Sequence, residues 1–362
     1  MKRLLIFVLP LLLFACKQSD HANEATTFLS ISGKTMGTTY HISYADPKQR
    51  NFKEKIDALL IEVNQDLSTY IDTSFISRFN QSEKGIQLKE KYVSSHSPHR
   101  HFMMNFYRAK EVYKTTNGSF DPTVMPLVNY WGFGKKRKKV EEADQNKIDS
   151  LMQLIGFDSI LLDEDSRFLS KTKENMQLDF SAIAKGYGVD AICELLAQED
   201  ISNYLVEIGG EVRANGQNHN QEFWKVGINT PKEDAALTDF EAIVQLKNRA
   251  LASSGDYRNY HEVNGVKYGH TIDPKSGYSR KNRLLSVSIF AEDCMTADAY
   301  ATACMVMGLD KSLELVRKMD NLEAYFIYGD EQGSLSVQYT EGMKEWLLPT
   351  ENEKNRSQDS DK

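Results

Sequence analysis

The chain has 362 residues, of which 41% are hydrophobic and 10% aromatic, so it is long and apolar enough to enclose a sizeable core. Its formal net charge of −7 at pH 7 argues against a nucleic-acid-binding surface, and we expect no nucleic acid among its partners. No pair of its cysteines has metal-ligand spacing, and we expect Cys193, Cys294 and Cys304 to be small buried hydrophobic residues.

The first residues have the features of a secretory signal peptide. Two basic residues precede an apolar run that ends at Ala15, and this run is shorter than the roughly 20 residues needed to span a bilayer. The letters LFAC at 13–16 resemble a bacterial lipobox, in which Cys16 would be lipidated; the alternative is an ordinary signal peptide with an incidental cysteine. We predict a lipoprotein signal peptide over 1–15, a polar tether over 16–27, and a lipid anchor on the periplasmic side of the cell inner membrane.

The elements predicted from periodicity begin with helices over 52–66 and 101–116, where apolar positions recur at helical spacing. Asp179 or Ser181 is expected to cap a third helix that continues to about residue 198. Strand-like runs lie at 204–208, 224–228, 242–246 and 284–290.

Between the two ends, residues 28–348 contain no low-complexity linker and no internal repeat, and a polar tail follows over 349–362. Helices and strands mix along this span without strict βαβ alternation. The pattern therefore predicts the α+β class, as a single large domain with two intimately packed lobes.

The one basic cluster, KKRKK at 135–139, lies directly before an acidic stretch. Mixed charge of this kind is typical of a solvated loop, which is the interpretation we favour. The alternative is a patch that meets an acidic partner or anionic lipid headgroups.

A helix rich in alanine and methionine is predicted around residues 296–303, and it sets Asp298 and Thr302 four residues apart. Both side chains then lie on one face, one turn apart. A carboxylate and a hydroxyl are oxygen donors that suit a hard cation such as Mg2+. The alternative is a small-residue helix packed against a sheet.

Further segments occur in a fixed order along the chain: MGTTY at 36–40, GSFDPTVMPLV at 118–128 with WGFG at 131–134, LDFSAIAKGYGVD at 178–190, and SSGDYRNY at 253–260 with YGHTIDPKSG at 268–277. With the 296–303 helix, they resemble the ApbE family of flavin transferases from about residue 30 to about residue 345. Members of this family are FAD-dependent, Mg2+-requiring enzymes that attach FMN to a Thr or Ser of partner proteins. The resemblance implies that 28–348 is the flavin transferase domain.

The resemblance also implies a metal site and a cofactor site. The metal would be held by the side chains of Asp298 and Thr302 and by the backbone carbonyl of Ala182. Asp179 would reach the ribose or adenine, and Lys185 would offer a cation to phosphate. The full set of implied FAD contacts is Met36, Tyr70, Ser119, Phe120, Asp121, Asp179, Lys185, His270 and Ile272. Of these, Tyr70 is either a stacking surface for a flavin or adenine ring or a core tyrosine.

His270 is the histidine embedded in a motif, and a tight turn at Asp273 and Pro274 follows it. Imidazole titrates near neutrality, so His270 is a candidate general base for the attacking hydroxyl; the alternative is a hydrogen-bonded turn residue. The implied reaction is the attack of that hydroxyl on the phosphorus on the FMN side of FAD, with release of AMP.

Family precedent points to acceptor proteins of membrane redox complexes, recognised through a short motif of Asp, Ser or Thr, and Gly. Two other functions stay open from the sequence. The same site could act as an FAD pyrophosphatase that gives FMN and AMP, with water as the attacking group. A non-catalytic FAD-binding lipoprotein is the other alternative.

Overall fold

The computed structural model describes residues 27–92, 97–135, 142–232, 239–255, 260–263, 266–279, 283–330 and 334–349. The predicted signal peptide, nearly all of the tether with its lipidation site, nearly all of the polar tail and most of the basic cluster lie outside these residues. None of the helices in the described ranges is long and apolar enough to cross a membrane.

Within the described residues the chain forms eight α-helices, which we number in chain order: α1 (Lys53–Leu67), α2 (Phe75–Gln81), α3 (Arg100–Thr115), α4 (Met125–Tyr130), α5 (Gln145–Met152), α6 (Ala184–Gln198), α7 (Cys294–Met307) and α8 (Leu309–Val316). The strands of the same residues are β1 (Phe28–Thr35), β2 (Thr38–Ala45), β3 (Gly85–Gln87), β4 (Ile160–Asp163), β5 (Phe168–Lys171), β6 (Tyr204–Ile208), β7 (Glu211–Asn215), β8 (Trp224–Asn229), β9 (Phe240–Leu246), β10 (Ala250–Gly255), β11 (Tyr260–Val263), β12 (Val266–Gly269), β13 (Leu284–Ala291), β14 (Glu323–Gly329), β15 (Leu335–Tyr339) and β16 (Leu347–Leu348).

An antiparallel sheet of eight strands, in the order β1-β2-β6-β7-β10-β13-β14-β15, runs through the molecule. Side chains alternate between its faces, because successive residues of a strand point in opposite directions. One face carries Tyr40, Ile42 and Val206 into the main core, which the helices α1, α3, α6 and α7 cover. The other face carries Val212 and Leu251 into a second core beneath the small sheet β16-β9-β8.

Helix α7 packs against α6 and against strands β10 and β13. Every residue of α7 except Thr302 and Met307 is buried, which agrees with a helix that is apolar on all sides. The two helices touch at Gly186, where an added Cβ would lie 2.3 Å from the Cys294 carbonyl oxygen. Glycine is therefore required at this position to let α6 approach α7.

Most predicted elements are confirmed. The first two helices and all four strands form within two residues of their predicted ends, and the α+β class is correct. The cysteines at 193, 294 and 304 are free and buried, as expected.

The predicted start of the third helix is wrong. Helix α6 begins only at Ala184, and Ile183 precedes it with no side-chain cap. The Asp179 carboxylate instead accepts hydrogen bonds from the backbone N–H and the hydroxyl of Ser181, at 2.9 and 2.6 Å. This local turn competes with helix formation, so residues 179–183 stay non-helical.

We expect Gly186→Ala to destabilise the protein by about 1–3 kcal/mol in urea unfolding, because the new methyl group meets a backbone oxygen that cannot rotate away. The matched control is Gly329→Ala, where an added Cβ has nothing within 4 Å. Equal unfolding midpoints for the two variants would show that α6 and α7 can separate without cost.

Candidate active site

A cavity of about 430 Å³ lies where α7, the start of α6, the turn after β6 and the end of β10 meet. The folded chain brings eleven of the twelve residues implied for the metal and cofactor sites to its lining: Tyr70, Ser119, Phe120, Asp121, Asp179, Ala182, Lys185, His270, Ile272, Asp298 and Thr302. These residues come from five separate stretches of sequence, so their convergence is a result of the fold.

Met36 is the exception. It lies in the turn between β1 and β2 with a positive φ of 49°, outside the cavity lining. Its side chain packs beside Gly188 of α6, one turn beyond Lys185. A contact between Met36 and FAD therefore stays a prediction.

The loop that carries Asp179 and Ala182 is anchored from below by two side chains. Asn80 pairs with the backbone of Leu178 through two hydrogen bonds of 2.7 and 2.8 Å. The ammonium of Lys171, which is buried, donates to the carbonyls of Phe79, Asn80 and Met176. Burial lowers the pKa of Lys171. The hydrogen bonds to the three carbonyls replace those that the ammonium would make to water.

Asp298 is buried on α7, and its Oδ2 accepts a 3.0 Å hydrogen bond from the backbone N–H of Gly186. In an uninterrupted helix that N–H would bond to the carbonyl of Ala182, four residues earlier. No residue of the described chain donates to the Ala182 carbonyl. The carboxylate of Asp298 thus leaves this carbonyl available at the cavity.

The position of α7 is set by the partly buried carboxylate of Asp190 on α6. Asp190 accepts hydrogen bonds from the N–H groups of Cys294 and Met295, at 2.9 and 2.8 Å, and so caps the start of α7. Arg213 pairs with the same carboxylate at 2.6 Å. Burial raises the pKa of Asp190 to about 6, and the guanidinium opposes that rise. The Asp190 carboxylate therefore joins α6 to the start of α7 by hydrogen bonds and to β7 by an ion pair.

The candidate ligands fit a hard cation. Ala182, Asp298 and Thr302 line the same cavity and supply a carbonyl, a carboxylate and a hydroxyl oxygen. The Thr302 hydroxyl lies 3.3 Å from that of Ser254. The described residues contain no group of three His, Cys, Asp or Glu side chains that could hold a metal ion. An all-oxygen set with one carboxylate suits Mg2+, which usually keeps several waters and binds phosphate oxygens.

Lys185 forms an ion pair with Glu211, a residue that the sequence analysis did not single out. Its Nζ lies 2.5 Å from Oε1 of Glu211, whose side chain is only 3% exposed. Burial alone would lower the pKa of Lys185, but the carboxylates of Glu211 and Asp298 raise it above its ordinary value. Burial raises the pKa of Glu211, Lys185 opposes that rise, and the neighbouring Asp298 carboxylate adds to it.

His270 lies half-buried at the cavity, with its ring edge-to-face against Phe133 at 6.3 Å between centroids. The turn predicted after it is confirmed, since Asp273 accepts from the N–H groups of Lys275 and Gly277, at 2.9 Å each. The indole of Trp131 donates to the carbonyl of Gly277 and ties this turn to α4. The arrangement holds the imidazole segment at the cavity wall.

Asp121 is buried, and its carboxylate accepts hydrogen bonds from the N–H and hydroxyl of Thr123, at 2.8 and 2.5 Å. Burial raises the pKa of Asp121 to about 6, against these hydrogen bonds. Its carboxylate therefore organises the turn that presents Ser119 and Phe120 to the cavity.

The mouth of the cavity is marked by Tyr70, which is 58% exposed. This exposure excludes the core-tyrosine alternative and leaves the ring free to stack on a flat ligand. Lys135, the first residue of the basic cluster, also lines the cavity and pairs with Asp72 at 2.7 Å. The entrance thus combines an aromatic surface with an ion pair.

Comparison with known proteins decides the family. The model of the ApbE family matches residues 36–326, well over half of the chain. The chain belongs to the ApbE family. It is 39% identical to the FAD:protein FMN transferase of Haemophilus influenzae over 86% of this chain and 89% of that protein.

Solved structures of the ApbE family agree with the observed fold. The flavin transferase ApbE from Vibrio cholerae matches with a TM-score of 0.78 at 33% identity, over 89% of this chain and 100% of that one. The apo form of the Pseudomonas stutzeri flavinyl transferase ApbE matches with a TM-score of 0.76 at 30% identity, over 88% and 96%. The resemblance found in the sequence motifs is therefore confirmed along nearly the whole domain.

Other residues of the cavity lining had no assigned role in the sequence analysis. Ser253 and Ser254 belong to a quoted motif, but only the structure brings them beside α7. Glu211 directly follows Gly209 and Gly210, and this glycine pair, which is typical of a turn, is the signal in the sequence that could have pointed to it.

Proposed function

We propose that this protein transfers FMN from FAD to a Thr or Ser hydroxyl of a partner protein with the help of Mg2+, and releases AMP. Flavin transfer follows from membership of the ApbE family and from relatives named FAD:protein FMN transferase. The observation that supports the finer statement is the cavity, whose lining brings together three candidate oxygen ligands for a cation, a lysine and a histidine.

Ala182, Asp298 and Thr302 would hold the cation, which when bound would stabilise negative charge on phosphoryl oxygens. Lys185 adds a fixed positive charge at the same wall, and Glu211 holds its ammonium in place. Tyr70 at the mouth offers a surface on which a ring of the cofactor stacks. The residues of the chain thus bind and orient FAD, and the partner protein supplies the nucleophile.

In the proposed transfer, the oxygen of the acceptor hydroxyl bonds to the phosphorus on the FMN side of FAD. The bond from that phosphorus to the bridging oxygen breaks, and AMP leaves with that oxygen. His270 accepts the proton of the attacking hydroxyl at an imidazole nitrogen. No nucleophile from this chain is required.

The proposed acceptors are proteins of membrane redox complexes, recognised through a short motif with Asp, Ser or Thr, and Gly. The experiment is incubation of the protein with FAD, Mg2+ and an acceptor domain, followed by mass spectrometry. A mass gain equal to bound FMN supports transfer. Free FMN and AMP without modified acceptor would indicate an FAD pyrophosphatase, and intact FAD would indicate a binding lipoprotein.

Asp298→Ala is expected to lower Mg2+-dependent transfer by about 100-fold or more, because it removes the one carboxylate among the proposed ligands. Thr302→Ala should be milder, since a neutral hydroxyl contributes less charge. Transfer rates are measured across a Mg2+ titration, with Asp310→Ala on the exposed side of α8 as the control. Normal turnover of the Asp298 variant at low Mg2+ would contradict the metal assignment.

His270→Asn is expected to slow transfer by about 100- to 10,000-fold while FAD still binds, because the amide keeps hydrogen bonding but cannot take a proton. The measurements are the transfer rate and the FAD affinity of the wild type and the variant at one pH. The control is His219→Asn, an exposed histidine outside the cavity. An unchanged rate, or loss of FAD binding instead, would remove His270 from the role of base.

We also propose that the protein is lipid-anchored through Cys16 on the periplasmic side of the cell inner membrane. Cys16→Ser is expected to release it into the periplasmic fraction with its soluble activity retained, because all of the residues proposed to bind FAD and the cation follow the tether in the sequence. Membrane fractionation with activity assays makes the measurement. A variant that stays with the membrane would indicate a second anchor, and the basic cluster at 135–139 would be tested next.

A further inference from the structure

Glu211 is a buried carboxylate of the cavity wall, and the proposed transfer assigns a role to only one of its two oxygens. The residue is 2% exposed, and Oε1 pairs with Lys185 at 2.5 Å. Its other oxygen, Oε2, has no hydrogen-bond partner within the described part of the chain. A buried carboxylate oxygen without a partner is costly, so this oxygen is expected to meet a group that the protein itself does not supply.

The fold places Glu211 by a tight turn. Gly209 and Gly210 join β6 to β7 with φ values of 60° and 104°. The pairing of the two strands begins next to this turn, where Ile208 lies opposite Glu211. Positive φ at both central residues is typical of the turns that join neighbouring strands in two-residue hairpins. Glu211 is thus the first residue of β7, held at the cavity by the hairpin and not by a loop.

The charges around Glu211 favour a cation. Two buried carboxylates, those of Glu211 and Asp298, share this wall with the single ammonium of Lys185. The charges lie near enough for each to influence the others. When both carboxylates are ionised, the one ammonium compensates only one of them, so the three side chains together carry a net charge of about −1.

We propose that Glu211 is an outer carboxylate of the cation site: Oε2 accepts a hydrogen bond from a water bound to the divalent cation, while Oε1 orients the ammonium of Lys185. This inference rests on the proposed cation site at Ala182, Asp298 and Thr302. Mg2+ keeps several of its waters in proteins, and such waters need fixed acceptors. Groups of this outer shell affect metal affinity by about 10- to 100-fold.

The test is calorimetric titration of the flavin-free protein with Mg2+ alone. Glu211→Gln is expected to bind Mg2+ about 10- to 100-fold more weakly than wild type. The amide keeps the side-chain volume, but its one oxygen cannot serve Lys185 and a metal-bound water together. Glu314→Gln is the matched control, since Glu314 pairs with Lys318 at 2.6 Å on the exposed surface of α8.

A second background separates the two contacts of Glu211. Lys185→Met removes the ammonium, and we expect it to bind Mg2+ at least as tightly as wild type because a positive charge is lost. Adding Glu211→Gln to Lys185→Met should again weaken Mg2+ binding by about 10-fold or more. Unchanged affinity in that background would mean that Glu211 only compensates Lys185, and would overturn the inference.

The outcomes also distinguish this inference from the proposed cation site. Wild-type protein that binds no Mg2+ would overturn both, whereas wild-type binding that is insensitive to Glu211 would overturn only the inference. If Glu211→Gln fails to fold, as judged by thermal unfolding, Glu211→Asp replaces it. That variant keeps the carboxylate charge, but its side chain is one methylene shorter, so its oxygens lie farther from the proposed cation site. The same loss of Mg2+ affinity is expected in the Lys185→Met background.

Discussion

The contact between α6 and α7 is the constraint on which the rest of the cavity depends. Gly186 allows the two helices to touch, and its N–H donates to Asp298 instead of to the carbonyl of Ala182. One hydrogen bond therefore orients the only carboxylate among the proposed ligands and leaves a carbonyl available beside it. The hydrogen bonds from the first N–H groups of α7 to Asp190 also help to position Asp298, because they fix the start of α7 relative to α6.

Buried charge in this molecule is compensated in two different ways. Lys171 is surrounded by backbone carbonyls, which satisfy its three N–H bonds and tie down the loop before α6. Lys185 is paired with a carboxylate whose second oxygen has no hydrogen-bond partner among the residues that the structure describes. The first arrangement is complete and serves the fold, whereas the second is complete only when another group joins it. This difference leaves one oxygen of Glu211 available to a further group at the cavity wall.

Much of the site could be predicted because its residues occur in short motifs whose order along the chain identifies the ApbE family. Asp298 and Thr302 share one helix face, and Asp273 forms its turn locally, so each could be placed from neighbouring residues alone. The start of α6 could not be predicted from neighbouring residues in this way. Helical periodicity continues back toward Asp179, but the Asp179 carboxylate accepts hydrogen bonds from Ser181 and holds this stretch in a non-helical turn. A periodic pattern does not reveal that competition.

By itself, the sequence determined the α+β class, the family and the residues proposed for the cation and cofactor sites, since these depend on local periodicity and on motifs. Only the tertiary structure decided that Lys185 meets Glu211, that Asp190 caps α7, and that Met36 lies outside the cavity lining. Each of these contacts joins segments that are distant along the chain. They depend on how the sheet and the helices pack around shared cores, and no window of neighbouring residues contains that information.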